Sequence, residues 1–308
     1  MIDSPVKWVG GKAWLRAELQ AAFALAGADR LRRYVDPFCG GLAPFLAWHE
    51  MVMGAPQNEV DAGAPLAPPL SALLADANAE LVRCYNAIQR DPAAVATALS
   101  ILRAQTPAEL EAFKQKHREV RNVFNAVRND AAVAPDSPAL AAITIWLTRC
   151  SFNGLWRVNR AGNFNSPPGL KAGPMPDLAL LCALASALQH VEIAKASYAT
   201  TMQRALTVNT PGVLYLDPPY VTAENQPTKG HTAYATEGFS AVDQALLAAY
   251  AHAAVARGWL VVVSNHDTPI VRGMFNGFVA AATPIRRKSI SAGARKPAQE
   301  ILLVGGAK

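Results

Sequence analysis

Short apolar runs alternate with segments of helical periodicity along most of this chain, and this alternation restricts its fold more than any other feature. The runs are typical of buried strands, and the segments between them space apolar residues as amphipathic helices do. The predicted strands lie in RYVDPFCGG, LSALLADANAELVRCYNAIQ, GVLYLDPPY, WLVVVSNHD and EILLVGG. This pattern predicts an α/β fold with a doubly wound, mainly parallel sheet.

The stretch from about residue 91 to 170 interrupts the alternation. It begins with helical patterns and ends in RVNRAGNFNSPPG, where a polar turn around Gly162 separates two short segments, as in a β-hairpin. We interpret it as an inserted helical subdomain that carries a hairpin. The predicted boundaries are 1–77 with 178–308 for the sheet domain, and 78–177 for the insert. The Pro-, Gly- and Ala-rich residues 53–70 are interpreted as a long surface loop.

Composition excludes several classes of protein. Of the 308 residues, 51% are hydrophobic and 17% charged, which is enough for a substantial core. No apolar run approaches the roughly 18 residues that span a bilayer, and the N-terminus lacks the apolar core of a secretory signal, so we expect a cytoplasmic protein. The four cysteines form no C-x-x-C pair, which favours reduced, mostly buried thiols and predicts no metal site.

Acidic residues end three of the predicted strands, at Asp36, Asp76 and Asp217. Ligands of open α/β sheets bind at the carboxyl ends of the strands, and an acid that follows a glycine-containing loop, such as Asp76, can accept hydrogen bonds from a ribose. An acid before proline, or before a helix, is also common in turns and caps, so each of the three has that alternative. Three acids at one edge of a sheet favour a binding site.

The glycine motifs do not match those of two common nucleotide-binding folds. VGGK at 9–12 lacks the P-loop pattern, because Val6 stands where a glycine is needed and Ala13 where a hydroxyl is needed. FCGG at 38–41 follows a strand and opens a helix, but it lacks G-x-G-x-x-G, so a dinucleotide-dependent dehydrogenase is weakly supported.

A basic segment lies near the C-terminus of a chain with a net charge of +6. RRKSISAGARKPAQE contains five cations before its first acid, and small residues between them would let backbone N–H groups approach phosphates. The alternative is a solvated surface loop. The candidate phosphate-binding residues are Arg286, Arg287, Lys288, Ser289, Arg295 and Lys296.

Nearly end to end, the chain resembles the Dam-like (D12 class, alpha-group) DNA adenine-N6 methyltransferases. The motifs that carry the resemblance are VKWVGGK, YVDPFCGGL, DANAELVRCYN, CSFNGLWRVNRAGNFNSPPG, SYATTM, LYLDPPY, VVVSNHD and RRKSISAGARK. The resemblance implies a Rossmann-like methyltransferase fold in which the insert is a target-recognition domain. It implies methyl transfer from S-adenosyl-L-methionine to N6 of an adenine flipped out of double-stranded DNA, by a monomer or weak dimer.

The resemblance also implies roles for individual residues. In D-P-P-Y, Asp217 and the Pro218 carbonyl would each accept a hydrogen bond from one N6–H group of the adenine. Pro219 would hold the turn, and Tyr220 would stack on the adenine. The implied cofactor-binding residues are Trp8, Lys12, Asp36, Phe38, Gly40, Gly41, Asp76 and Asp217. The implied DNA-binding residues are Lys7, Phe152, Asn153, Leu155, Arg157, Pro167, Asn265 and the basic residues named above. Phe152 would wedge into the base stack, Asn153 would fill the gap left by the flipped base, and Arg157 would contact guanine, with a phosphate contact as its alternative.

Three other functions are considered. Cytosine-N4 methyltransferases share the chemistry but more often carry serine in place of Asp217, and RNA or protein methyltransferases carry N-P-P-Y. A DNA-binding module that has lost catalysis would not need D-P-P-Y, Lys12 and Asp76 intact. Departures from the family pattern at Leu42 and Ala43 fall in the cofactor loop, and those at Val158 and Pro168 fall in the hairpin region, so the target sequence is left unpredicted.

Overall fold

The computed structural model describes residues 2–25, 27–28, 31–54, 70–220, 239–281, 285–286 and 299–306. Its α-helices are α1 Arg16–Leu25, α2 Ala43–Gly54, α3 Ala79–Arg90, α4 Pro92–Ala104, α5 Leu110–Val127, α6 Pro138–Cys150, α7 Leu178–Ala187, α8 Tyr198–Thr207, α9 Ala241–Ala256 and α10 Pro269–Met274. Short 3-10 helices cover Ala13–Leu15 and Phe152–Gly154. The strands are β1 Arg33–Asp36, β2 Ser71–Asp76, β3 Val191–Lys195, β4 Val213–Leu216, β5 Leu260–His266, β6 Val279–Ala280, β7 Ile285–Arg286 and β8 Gln299–Gly305.

The described strands form one sheet in the order β3-β2-β1-β4-β5-β8-β6, and β7 also pairs with β8. The five strands from β3 to β5 are parallel, whereas β8 is antiparallel to β5, β6 and β7. The predicted α/β class with a mainly parallel sheet is confirmed. The edge strand β3 was not predicted, because only alternate residues of its VEIAK sequence are buried and it ends in a charge.

The strand order reverses between β1 and β4. From β1 the chain adds β2 and β3 on one side, and then returns to add β4 and β5 on the other. The helices that leave these two strands diverge at such a point, which opens a crevice at the carboxyl ends of the strands. Asp36 ends β1 and Asp217 follows β4, so both lie beside this crevice.

Helices cover both faces of the sheet. Successive strand residues point to opposite faces, so Tyr34 packs in one buried cluster and its neighbour Val35 in another. The first cluster also contains residues of α1 to α7, such as Trp48 and Trp146, and the second contains residues of α8 to α10, such as Leu247. Both faces of the sheet that forms the crevice are therefore covered by packed helices.

The helices α4 to α6 contribute Leu99, Phe113 and Trp146 to the same cluster as Tyr34. After α6, residues 157–165 fold back on themselves: Val158 and Phe164 form an antiparallel bridge. The Asn159 side chain accepts hydrogen bonds from backbone N–H groups of the turn, where Gly162 has a φ of 77°. The insert boundaries, 78–177, stay a prediction.

Other features bear on the predicted class of protein. The four cysteines are free, and Cys39, Cys84 and Cys150 are buried, as predicted. Among the helices of the described segments, none combines the length and apolar character needed to cross a bilayer. No group of three or more His, Cys, Asp or Glu side chains in the same segments could hold a metal ion.

Candidate active site

The three strand-end carboxylates lie at one edge of the sheet, as the sequence predicts. Asp36 is fully buried: its Oδ1 accepts from Phe38 N at 2.9 Å, and its Oδ2 from the Tyr34 hydroxyl at 3.3 Å. Asp76 accepts from Gly40 N at 3.0 Å and from Asn78 N at 2.8 Å. Asp36 thus ties down the start of the glycine-containing loop, and Asp76 joins that loop to the start of α3.

Burial changes the acidity of both carboxyls. It raises the pKa of Asp36 well above its usual range. The charges of Asp217 and Asp76 raise this pKa further, whereas the hydrogen bond from Phe38 N lowers it. Burial raises the pKa of Asp76 to about 6, although the hydrogen bonds from Asn78 and Gly40 oppose it. Asp76 therefore titrates close to neutral pH.

Lys12 holds the D-P-P-Y turn against the N-terminal loop, residues 2–12, which precedes the first 3-10 helix. The Lys12 Nζ lies 2.7 Å from Asp217 Oδ2 and donates to the Gly10 carbonyl at 2.8 Å. The same ammonium is 4.8 Å from the centroid of the Tyr220 ring. Only 4% of the Lys12 side chain and 17% of the Asp217 side chain are exposed, so this ion pair is shielded from solvent.

The glycine-containing loop packs closely on Trp8. A Cβ atom at Gly40 would lie 3.2 Å from Trp8 Cδ1, and one at Gly41 would lie 3.4 Å from Trp8 Cβ. Nearby, the Phe38 ring stacks on Tyr198 with centroids 5.9 Å apart, and Phe239 meets both rings edge-on. Each of the eight predicted cofactor-binding residues thus belongs to the loop or contacts the loop or another of the eight, and the rings of Tyr198 and Phe239 pack on Phe38 in the loop.

Several of the residues implied to bind DNA lie in the 151–167 loop, and Lys7 contacts this loop. Gly154 has a φ of 71°, and a Cβ atom there would lie 2.7 Å from both the Cγ and the carbonyl oxygen of Lys7. Phe152 is 47% exposed, and Asn153 beside it has a φ of 52°. The loop therefore brings exposed side chains next to the exposed Lys7.

The hairpin fixes Arg157. Its Nε donates to Asn165 Oδ1 at 2.8 Å and its Nη2 to the Asn165 carbonyl at 3.0 Å. The guanidinium carries five N–H donors, so it keeps further donors for another partner. Leu155 is half-buried, and Pro167 is exposed while its carbonyl accepts from Phe152 N at 3.0 Å.

Two predicted DNA contacts, Asn265 and Arg286, lie outside the 151–167 loop. Asn265 is fully buried and its Oδ1 accepts from His266 N at 2.8 Å, so a direct contact with DNA would require it to become exposed. Arg286 lies in the two-residue strand β7. The other basic-segment residues, Arg287, Lys288, Ser289, Arg295 and Lys296, lie outside the described residues.

Sequence reasoning assigned no role to several residues around D-P-P-Y. Gln244 Nε2 donates to the Pro219 carbonyl at 2.6 Å, and the Tyr220 hydroxyl contacts Ser264 Oγ at 2.6 Å and Glu300 Oε2 at 3.3 Å. Tyr198 lies in the SYATTM motif, for which the resemblance implies no residue role. Ser264 and Glu300 are polar residues that adjoin apolar runs, and Ser264 also lies in the VVVSNHD motif; these sequence signals could have identified them.

Comparisons with known proteins identify the family of the chain. The family model of the D12 class N6 adenine-specific DNA methyltransferases matches residues 8–289. The DNA adenine methylase of Vibrio cholerae is 30% identical over 273 residues, 88% of this chain and 84% of the relative. That of Escherichia coli K12 is 32% identical over 234 residues (75% and 77%), and the retron Ec67 DNA adenine methylase of Escherichia coli is 28% identical over 304 residues (98% and 91%). With a family match across nearly its whole length, the chain belongs to the D12 class N6 adenine-specific DNA methyltransferases.

Proposed function

We propose that the protein transfers a methyl group from S-adenosyl-L-methionine to N6 of an adenine flipped out of double-stranded DNA, with D-P-P-Y as its catalytic motif. One observation carries the assignment of the site: the Asp217 carboxylate stands beside the crevice of the sheet, held at 2.7 Å by a shielded Lys12 and next to Tyr220. The relatives are named DNA adenine methylases, which supports the same base and substrate.

Asp217 and the Pro218 carbonyl would activate the amino group. The lone pair of N6 is delocalised into the purine ring, so the amino group is a poor nucleophile. Two acceptors that each take one N6–H favour a pyramidal nitrogen, and their negative charge stabilises the positive charge that develops there. A carboxylate offers about four lone-pair sites, so the bond from Lys12 leaves Asp217 able to accept from the base.

Tyr220 would receive the flipped base. Extrusion of a nucleotide costs a few kcal/mol of stacking and pairing. Stacking on an aromatic ring returns roughly 1 to 3 kcal/mol per base. The ring is anchored through its hydroxyl, so it presents a fixed surface to the base.

The described residues fit the cofactor that the family implies. When bound, S-adenosyl-L-methionine supplies a methyl group made electrophilic by its sulfonium. Asp76 retains acceptor capacity beyond its bonds from Gly40 and Asn78, so it could bind ribose hydroxyls, and a Cβ atom at Gly40 would crowd Trp8 at 3.2 Å. Phe38 and Tyr198 offer aromatic surface for the adenosine beside this loop.

The 151–167 loop and Lys7 would read the DNA. Phe152 and Asn153 are exposed on a loop that Gly154 presses against Lys7, which is the arrangement needed to enter a base stack from one side. Arg157, held by Asn165, keeps donors for a guanine edge. We infer a target-recognition role for residues 78–177, action as a monomer or weak dimer, and a cytoplasmic location.

Methyl transfer with a labelled cofactor tests this function. The wild type is incubated with unmethylated duplex DNA and methyl-labelled S-adenosyl-L-methionine, and the DNA is digested to nucleosides. We expect the label in N6-methyladenine. Label in N4-methylcytosine would favour the cytosine alternative, and no label in any duplex would favour a binding module without catalysis.

A further inference from the structure

Tyr220 is held at its hydroxyl end by two buried polar side chains. Ser264 is fully buried on β5 and its Oγ lies 2.6 Å from the Tyr220 hydroxyl. Glu300, 2% exposed on β8, accepts from the same hydroxyl at 3.3 Å. Burial of polar groups is costly unless they are hydrogen-bonded, so this arrangement favours one position of the ring.

The backbone next to Tyr220 is held from the other side. Gln244, 5% exposed on α9, donates its Nε2 to the Pro219 carbonyl at 2.6 Å. Proline has a fixed φ, so the direction of that carbonyl depends on a single remaining torsion, which the bond restrains. The first turn of α9 is itself fixed by a capping box between Ser240 and Asp243.

We propose that Gln244 and Ser264, with Glu300, are positioning residues that hold Tyr220 at its backbone and hydroxyl ends, so that the ring meets the flipped adenine in one orientation. This inference rests on the proposed function, because it concerns the same base. None of the three side chains lies in D-P-P-Y, and each acts through the motif rather than on the base. Their loss should therefore reduce the turnover rate more than cofactor affinity.

A double-mutant cycle tests the hydroxyl end. Ser264→Ala should lower kcat about two- to tenfold, the usual effect of one lost hydrogen bond, and leave the Kd for the cofactor within twofold. Tyr220→Phe removes the hydroxyl that Ser264 contacts, so Ser264→Ala should have no further effect in that background. Equal losses in both backgrounds would show that Ser264 acts elsewhere and overturn the proposal for this end.

The backbone end is tested by charge and pH. Gln244→Met removes the amide donor, and Gln244→Glu places a carboxylate against the Pro219 carbonyl. The Glu variant should be the slower at pH 8, and its activity relative to wild type should recover as the pH falls, because a protonated carboxyl can donate again. The same ratio at every pH would contradict the proposal.

Gln20 supplies the matched control. Its Nε2 donates to the Ala47 carbonyl at 3.5 Å, so Gln20→Met removes an amide donor outside both D-P-P-Y and residues 78–177. We expect Gln20→Met to change neither kcat nor its pH profile. Fluorescence of 2-aminopurine at the target position reports whether the base still flips in each variant. An inactive wild type would instead refute the proposed function itself.

Discussion

The carboxyl edge of the parallel strands and the 151–167 loop differ in whether their polar side chains are bonded within the protein or exposed to solvent. At the edge, Asp36 and Asp76 are bonded to backbone N–H groups and Asp217 to Lys12, in positions set by buried strands. In the loop, Phe152 and Arg157 are exposed, and Arg157 is held by Asn165 and, through its backbone N–H, by Ser166.

This contrast separates two kinds of function. A group that stabilises charge during a reaction must be preorganised and shielded from water, which the strand ends provide. A group that reads base edges must reach out to the DNA, which an exposed loop on a rigid support provides. Changes at the edge should thus affect every DNA equally, and changes in the loop should affect some sequences more than others.

The largest effect is expected at the edge. Asp217→Ala removes the carboxylate acceptor and leaves Lys12 without its carboxylate partner. We therefore expect kcat to fall about a thousandfold, which is near the upper limit for the loss of one electrostatic stabiliser. DNA affinity, measured by a gel-shift assay, should stay within about threefold. Glu192→Ala, which removes an exposed carboxylate on β3 from its ion pair with Arg204, is the control and should keep full activity. Near-normal methylation by Asp217→Ala would refute the mechanism.

A smaller and sequence-dependent effect is expected in the hairpin. Arg157→Ala should lose about 1–3 kcal/mol of DNA-binding free energy at the preferred site and less at sites that differ in one base pair. The variant should therefore discriminate less between DNA sequences. Competition binding with a set of duplexes measures this. Arg204→Ala, in α8 and paired with Glu192, is the control and should leave the ranking unchanged. Uniform weakening across all sequences would instead identify Arg157 as a phosphate contact.

The link between the N-terminal loop and the 151–167 loop can be tested with two glycines. Gly154 and Gly162 both have positive φ angles, so alanine strains either by about 1–2 kcal/mol. Only at Gly154 would the new Cβ also meet Lys7, at 2.7 Å. We expect Gly154→Ala to lower the melting temperature further than Gly162→Ala and to weaken DNA binding. Equal effects on stability would mean that the contact with Lys7 is easily relaxed.

The smallest effect is a pH dependence of cofactor binding. The pKa of Asp76 is raised to about 6, so the carboxylate is ionised at pH 7.5 and gains a proton as the pH falls through 6. Cofactor affinity by calorimetry should therefore decrease up to about tenfold between pH 7.5 and 5. Asp76→Asn should bind more weakly at pH 7.5 and lose this dependence. A flat wild-type profile would argue against a ribose contact by the ionised Asp76.

The sheet edge was largely predictable because strand ends are visible in the sequence. Apolar runs end at Asp36, Asp76 and Asp217. If the three strands are parallel, as they are, these acids must lie at the same edge of the sheet, that of the carboxyl ends. The antiparallel direction of β8 was not predicted, since an apolar run does not encode its direction.

Contacts distant in sequence could not be predicted. Tyr220 meets Ser264 and Glu300 only because β5 and β8 pair side by side, 44 and 80 residues further along the chain. Asn265 next to Ser264 was expected at the DNA but is fully buried, because every residue from Leu260 to Asn265 is buried in β5, which lies between β4 and β8. Side-chain exposure on such a strand depends on the layers that cover it, which a local pattern does not reveal.

Single-molecule sequencing of DNA from a methylation-free host tests the separation of the two regions most directly, because it reports the modified base with its surrounding sequence. We expect N6-methyladenine within a defined sequence for the wild type, N6-methyladenine in a broader set of sequences for Arg157→Ala, and none for Asp217→Ala. Persistent N6-methyladenine with Asp217→Ala, or modification of cytosine by the wild type, would contradict this expectation.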